Sequence, residues 1–201
     1  ISENGEMFGE EYTLVAVADY VLKHTPGNTV SNLSSSRALK DVTEAYGQQY
    51  HAAAVGEVNV VAEMKRTHSV IGGEGNGGVI YPESHYGRDA LVGVGLFLSH
   101  YVAQSKKMTE LKSTYPPYFI SKNKMTLSPD MDVDKILEGL KERYATEKVT
   151  DIDGVKIDFA QGWVHLRKSN TEPIIRIYSE AKDEAAANQL AEEVIAAAKS
   201  T

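Results

Sequence analysis

YHAAAVGEVNVVAEMKRTHSVIG, residues 50–72, decides the fold of the first half of this chain. Residues 50–55 read as a strand, 57–66 as a helix and 69–72 as a second short strand. Strand, helix and strand in succession form the unit from which largely parallel sheets are built. Working outward, residues 9–23 place Leu14, Val17, Ala18, Val21 and Leu22 at helical spacing before Pro26-Gly27 stops the helix. A strand over 29–33 follows, and Ser34 to Ser36 are expected to cap a helix whose stripe is Leu39, Val42 and Tyr46 and which Gly47 ends. The helix over 88–103 is apolar on most faces through Leu91, Val94, Leu96, Leu98 and Val102, which predicts burial on several sides and the close of a first domain.

Periodicity is lost at Tyr115-Pro116-Pro117 and again at Ser128-Pro129, with an extended stretch over 118–127 between them. The first of these segments is read as a hinge. Beyond it, Val133, Ile136, Leu137, Leu140 and Tyr144 define an amphipathic helix. Strand runs follow over 149–152, 155–159 and 163–167, with turns at Asp153-Gly154 and Gln161-Gly162. A last strand, 174–179, leads into a helix with Ala187, Leu190, Ala191, Val194 and Ile195 on one face. The predicted fold is an α/β domain with a mixed, largely parallel sheet over 1–114, followed over 115–201 by a smaller α+β domain with an antiparallel sheet and two helices.

Composition excludes several classes. With 42% hydrophobic and 24% charged residues in 201, neither disorder nor a coiled coil is favoured. The net charge of −7 is evenly spread, with 9 basic and 13 acidic side chains over 1–113 and 12 and 15 over 114–201; no basic face for nucleic acid stands out. The absence of cysteine excludes disulfides, thiol nucleophiles and cysteine-ligated metals, and fits a cytoplasmic protein. The longest apolar run, 90–98, falls far short of the roughly 20 residues needed to cross a bilayer, so no membrane partner is expected. The chain opens on Ile1, and Glu3-Asn4-Gly5 is a turn that normally joins two strands; a longer parent is expected.

Two loops carry the chemistry. In Gly72-Gly73-Glu74-Gly75-Asn76-Gly77-Gly78 glycine leaves backbone open to a ligand. The carboxylate would repel phosphate, whereas Glu74 accepts from sugar hydroxyls and Asn76 both donates and accepts. The same composition also fits a glycine-rich turn with no ligand. In Arg167-Lys168-Ser169-Asn170-Thr171-Glu172-Pro173, followed by Arg176, guanidinium forks, hydroxyls and turn amides suit a phosphate dianion. A solvated hairpin turn is the plain alternative. Ser34 to Ser36 lack an adjacent base and are not read as nucleophiles. The six histidines show no metal-ligand spacing.

Together, in this order, the two loops resemble those of the α-D-phosphohexomutases, the superfamily of phosphoglucomutase, phosphomannomutase and phosphoglucosamine mutase, over essentially the whole chain. The resemblance is to the third of four family domains, with its GE-x-S/N-GG sugar loop, and to the fourth, with its R-x-S-G/N-T-x-P phosphate loop; residues 1–7 would be the tail of the second. It implies that Glu74 and Asn76 bind sugar hydroxyls, joined by Glu57 in Val55-Gly56-Glu57-Val58-Asn59, although an acidic residue at a helix start also explains Glu57. It implies phosphate contacts from Arg167, Ser169, Asn170, Thr171 and Arg176. His85 and Arg88, just after the sugar loop, are further candidates for contacts near the ligand.

For the parent, the resemblance implies interconversion of hexose 1-phosphate and 6-phosphate through a bisphosphate. A phosphoserine and Mg²⁺ would lie on the preceding domains, with no catalytic or metal-ligating residue in this chain. The implied partners are hexose phosphates and those domains. Gly78 stands where some relatives have histidine and Asn76 where many have serine; no S/T-x-S-H-N-P-like loop occurs, and the D-x-D-x-D spacing of Asp130, Asp132 and Asp134, which leads straight into the amphipathic helix, is not assigned as the metal loop. The chain alone is therefore expected to bind and not to turn over. Glucose, mannose and glucosamine phosphates are not distinguished. The rival expectation is a stand-alone carbohydrate- or phosphate-binding module.

Overall fold

A computed structural model describes residues 1–128, 131–169 and 171–200; Pro129 and Asn170, both singled out from the sequence, lie outside the described residues. The chain divides into two compact units, Ile1–Pro117 and Tyr118–Thr201.

In the first unit, α1 (Glu10–His24), β1 (Thr29–Asn32), α2 (Ala38–Ala45), β2 (Tyr50–Ala53), α3 (Glu57–Thr67), β3 (Ile71–Glu74) and β4 (Gly78–Ile80) precede α4 (Ala90–Gln104) and α5 (Met108–Lys112). The described strands form one sheet in the order β2-β1-β3-β4. β1 runs parallel to β2 and β3, and β4 returns antiparallel to β3. This is the mixed, largely parallel sheet that the alternation predicts, with Leu14, Val17, Ala18, Val21 and Leu22 of α1 all buried.

Three readings are corrected. The seven-residue glycine segment is not one loop: Gly72, Gly73 and Glu74 pair with Ile80, Val79 and Gly78, leaving a three-residue turn over 75–77. Gly77 has φ of 86°, a left-handed conformation that glycine adopts without a steric penalty. Second, α4 is not buried on several sides. Leu91 and Val102 are 84% and 74% exposed, and only Gly93 and His100 of the helix are buried. An apolar surface all round carries no phase, so periodicity did not select the face that packs on α1. Third, Ser34 to Ser36 do not act together as a cap: Ser36 Oγ accepts from Ala38 N at 3.2 Å, while Ser35 is used elsewhere.

Tyr115 belongs to the first unit. It is buried, donates to Asp19 Oδ2 at 3.1 Å and lies 2.7 Å from His100 Nε2; the carbonyl of Pro116 accepts from Tyr12 Oη at 2.8 Å. These bonds tie two residues of the expected hinge to α1 and α4.

The second unit contains β5 (Phe119–Thr126), α6 (Val133–Arg143), β6 (Lys148–Thr150), β7 (Val155–Asp158), β8 (Gly162–Lys168), β9 (Ile174–Ala181) and α7 (Glu184–Lys199). Its described strands form an antiparallel sheet in the order β5-β9-β8-β7-β6. One face is apolar: Met125, Ile157, Val164, Leu166, Ile175 and Ile177 form a core with Ile136, Leu140, Leu190 and Val194 from the two helices. This matches the predicted α+β fold.

On β8, His165 is 1% exposed and donates from Nε2 to the carbonyl of Asp153 at 2.7 Å. Burial lowers its pKa from 6.5 to about 4. A depressed histidine gives stability that is complete above 6.5 and lost as pH falls towards 4, because the unfolded chain takes up the proton first. At pH 4 the loss reaches about 3 kcal/mol at most. Thermal unfolding followed through the single tryptophan, Trp163, should shift downward across that window, and less so in His165→Gln. An identical pH slope in the variant would refute the assignment.

Candidate functional site

The carboxyl ends of the parallel strands β1, β2 and β3 converge, which is where open α/β sheets present ligand groups. Glu74 is the last residue of β3, only 5% exposed. Its Oε1 accepts from Asn32 Nδ2, at the end of β1, at 2.9 Å and from Gly56 N, before α3, at 3.1 Å. Its Oε2 lies 3.3 Å from Arg88 Nη1. A carboxylate offers about four lone-pair sites, so one remains, on the side of Arg88.

Arg88 joins two carboxylates. Its Nε donates to Glu57 Oε2 at 2.7 Å and its backbone N to Glu57 Oε1 at 3.1 Å. These bonds, the side-chain one foremost, hold the Glu57 carboxyl below its usual range, and the same pair raises Arg88. Gly78 makes room for this arrangement: a Cβ there would stand 2.5 Å from Arg88 Cδ. His85 Nε2 is 3.0 Å from Asp89 Oδ2, while Asp89 Oδ1 caps α4 by accepting from Leu91 N and Val92 N. His85 thus pairs with the helix cap, while Glu57, Glu74 and Arg88 come together.

Asn76 stands apart in character. It is exposed, and its Oδ1 accepts from Gly78 N at 3.0 Å within the turn. The turn rests on residues that the sequence reading missed. Ser35 Oγ accepts from Gly75 N at 2.9 Å and donates to Asn32 Oδ1 at 3.0 Å. Glu11 Oε2 accepts from Ser36 N at 2.8 Å, and its carboxylate fills the space where a Cβ on Gly75 would point. The available signal was Asn32 and the serines after it, a polar run at the carboxyl end of β1.

In the second unit the β8–β9 turn is framed by Arg167 and Arg176, directly opposite in register. Ser169 is 7% exposed, and its N donates to the carbonyl of Ile174 at 3.0 Å. Its Oγ lies 3.4 Å from both Thr171 Oγ1 and Thr171 N. Arg176 Nη2 reaches Glu172 Oε2 at 3.1 Å, whereas Arg167 Nε is buried with no hydrogen-bond partner. Arg167, Ser169, Thr171 and Arg176 therefore surround one turn; the expected role of Asn170 lies outside the described residues. Among the described residues, no group of three His, Asp or Glu side chains could hold a metal ion, and no helix is long and apolar enough to cross a membrane.

The fold is shared with solved structures. The chain matches the X-ray structure of a phosphoglucomutase/phosphomannomutase family protein from Burkholderia thailandensis with a TM-score of 0.79 at 23% identity, over 98% of this chain and 43% of that one. It also matches the Aspergillus fumigatus N-acetylphosphoglucosamine mutase in complex with GlcNAc-6P and magnesium, with a TM-score of 0.59 at 14% identity, over 94% and 45%.

Sequence carries the assignment to the family. Residues 9–118 match the model for phosphoglucomutase/phosphomannomutase, alpha/beta/alpha domain III, and residues 122–197 that for the phosphoglucomutase/phosphomannomutase C-terminal domain. The chain belongs to the phosphoglucomutase/phosphomannomutase family. It is 36% identical to the phosphoglucomutase/phosphomannomutase of Thermococcus kodakarensis over 96% of this chain and 42% of that protein. It is also 36% identical to the phosphoglucosamine/phosphogalactosamine mutase of Sulfurisphaera tokodaii, over 82% and 37%. The chain spans less than half the length of these relatives.

Removing Arg88 tests the acidic cluster. In Arg88→Ala the Glu57 carboxyl should titrate at a higher pH, read by carboxyl-carbon NMR, and the chain should lose roughly 1–2 kcal/mol because a buried carboxylate loses a charged donor. An unmoved Glu57 titration would show that Arg88 does not hold it.

Proposed function

We propose that this chain is the sugar- and phosphate-holding part of a phosphohexomutase, an intramolecular phosphotransferase that interconverts hexose 1-phosphate and 6-phosphate through a bisphosphate. The observation that carries the reading is the buried, unpartnered Arg167 Nε beside a turn of hydroxyls and opposite a second arginine. Like charges face to face across a strand pair are unfavourable on their own. A phosphate dianion accepts from both forks and removes the repulsion.

In this reading Arg167, Ser169, Thr171 and Arg176, with Asn170, hold the phosphate that is not reacting. Glu74 uses its remaining lone pair for a sugar hydroxyl. Asn76 offers its exposed amide to a neighbouring hydroxyl, and Glu57 keeps Arg88 against Glu74. Phosphoryl transfer depends on positioning and electrostatics, so holding both ends of the substrate contributes directly to rate. The phosphoserine and Mg²⁺ implied for such an enzyme are assigned to the part of the parent outside this chain. By itself the chain binds hexose phosphate without turnover, and none of its residues is assigned to distinguish glucose, mannose and glucosamine phosphates.

Calorimetric titration tests this with glucose 1-phosphate, glucose 6-phosphate and inorganic phosphate. Arg167→Ala should weaken all three by roughly tenfold or more. Glu74→Gln should weaken the sugar phosphates and leave inorganic phosphate unchanged. Equal loss of all three ligands in Glu74→Gln, or none in Arg167→Ala, would overturn the division of labour. Turnover by pure chain would overturn its assignment as a binding part.

A further inference from the structure

We infer that the phosphate site of the second unit contains a third cation, Lys124 on β5, which neither loop includes. The inference rests on the phosphate-binding reading of the β8–β9 turn and extends it to a strand that follows no sequence motif.

Register carries the argument. Lys124 is directly opposite Arg176 across the β5–β9 pair, and Arg176 is directly opposite Arg167 across the β9–β8 pair. Opposite residues of antiparallel strands point to the same face, with Cβ atoms about 4.5–5.5 Å apart. Their chain neighbours confirm which face: Met125, Leu166, Ile175 and Ile177 are buried in the helix-covered core, so all three cations stand on the other side. Three consecutive strands thus place three positive side chains in one line, of which the central one has Glu172 as its acid partner.

The line adjoins the turn. Leu127 N, three residues beyond Lys124, donates to the carbonyl of Pro173 at 2.9 Å, so β5 borders the segment that closes the phosphate loop. Lys124 is exposed, and its ammonium is a mobile point charge with three donors on a flexible stem. The two guanidinium groups supply planar forks, and the lysine supplies charge from the β5 flank, a combination suited to a phosphate monoester dianion. Lys122, two residues earlier on the same face, differs: its Nζ lies 5.8 Å from the centroid of the Tyr178 ring. It provides a matched control for the same change of charge on the same strand.

The test is titration of inorganic phosphate and glucose 6-phosphate into the chain and into Lys124→Gln, Lys124→Arg, Lys122→Gln and Arg167→Ala, with circular dichroism to verify folding. Lys124→Gln should weaken both ligands roughly five- to tenfold, while Lys124→Arg and Lys122→Gln stay within about twofold of the unaltered chain. If Lys124→Gln binds normally while Arg167→Ala does not, the third cation is wrong and the two-arginine site stands. Equal losses in Lys122→Gln and Lys124→Gln would reduce the effect to bulk charge and overturn the inference. Failure of the unaltered chain to bind either ligand would overturn both readings.

Discussion

An ionised carboxylate withdrawn from water is costly unless donors replace its hydration, and Glu74 sets that condition for the first unit. Its three partners come from places far apart in the chain: Asn32 at the end of β1, the amide of Gly56 before α3, and Arg88 before α4. Satisfying one charge therefore requires the ends of two parallel strands, the start of one helix and the approach to another to meet. Ser35 extends the same network from Asn32 to the turn at Gly75. The arrangement that stabilises the fold is also the one that leaves a single lone pair of Glu74 beside an anchored guanidinium.

The second unit handles charge in the opposite way. Its sheet has one face sealed by α6 and α7, and the other carries arginines in direct cross-strand opposition. One acid, Glu172, offsets Arg176, and the buried Arg167 Nε has no partner. Around Glu74 two carboxylates both meet Arg88, whereas on β8 and β9 two arginines stand opposite each other with Glu172 on one of them. On the reading proposed above, that difference suits the first unit to hydroxyls and the second to a dianion.

Sequence pattern and tertiary structure part company at α4 and at the glycine segment. A helix apolar on every face has no periodic phase to read, and contact with α1 leaves Leu91, Val94, Leu98 and Val102 exposed. Glycine composition was read as an open loop, yet Gly72 and Gly73 are strand residues paired with Ile80 and Val79. Absence of a side chain marks close backbone approach as well as a turn, and composition does not separate the two.

By itself, the sequence determined what depends on neighbours along the chain. The strand–helix alternation, the amphipathic helices of the second unit and the clustering of Arg167, Ser169 and Thr171 before Arg176 all arise from local spacing and local backbone preference. Only the tertiary structure decided which lone pairs of Glu74 are already used, that Asn32 and Ser35 frame the turn, that Arg88 links two carboxylates, and that Lys124 falls in line with two arginines. These depend on lateral register and on the meeting of strand ends. The physical reason is that cross-strand partners separated by some fifty residues, as Lys124 and Arg176 are, leave no periodic trace in either segment.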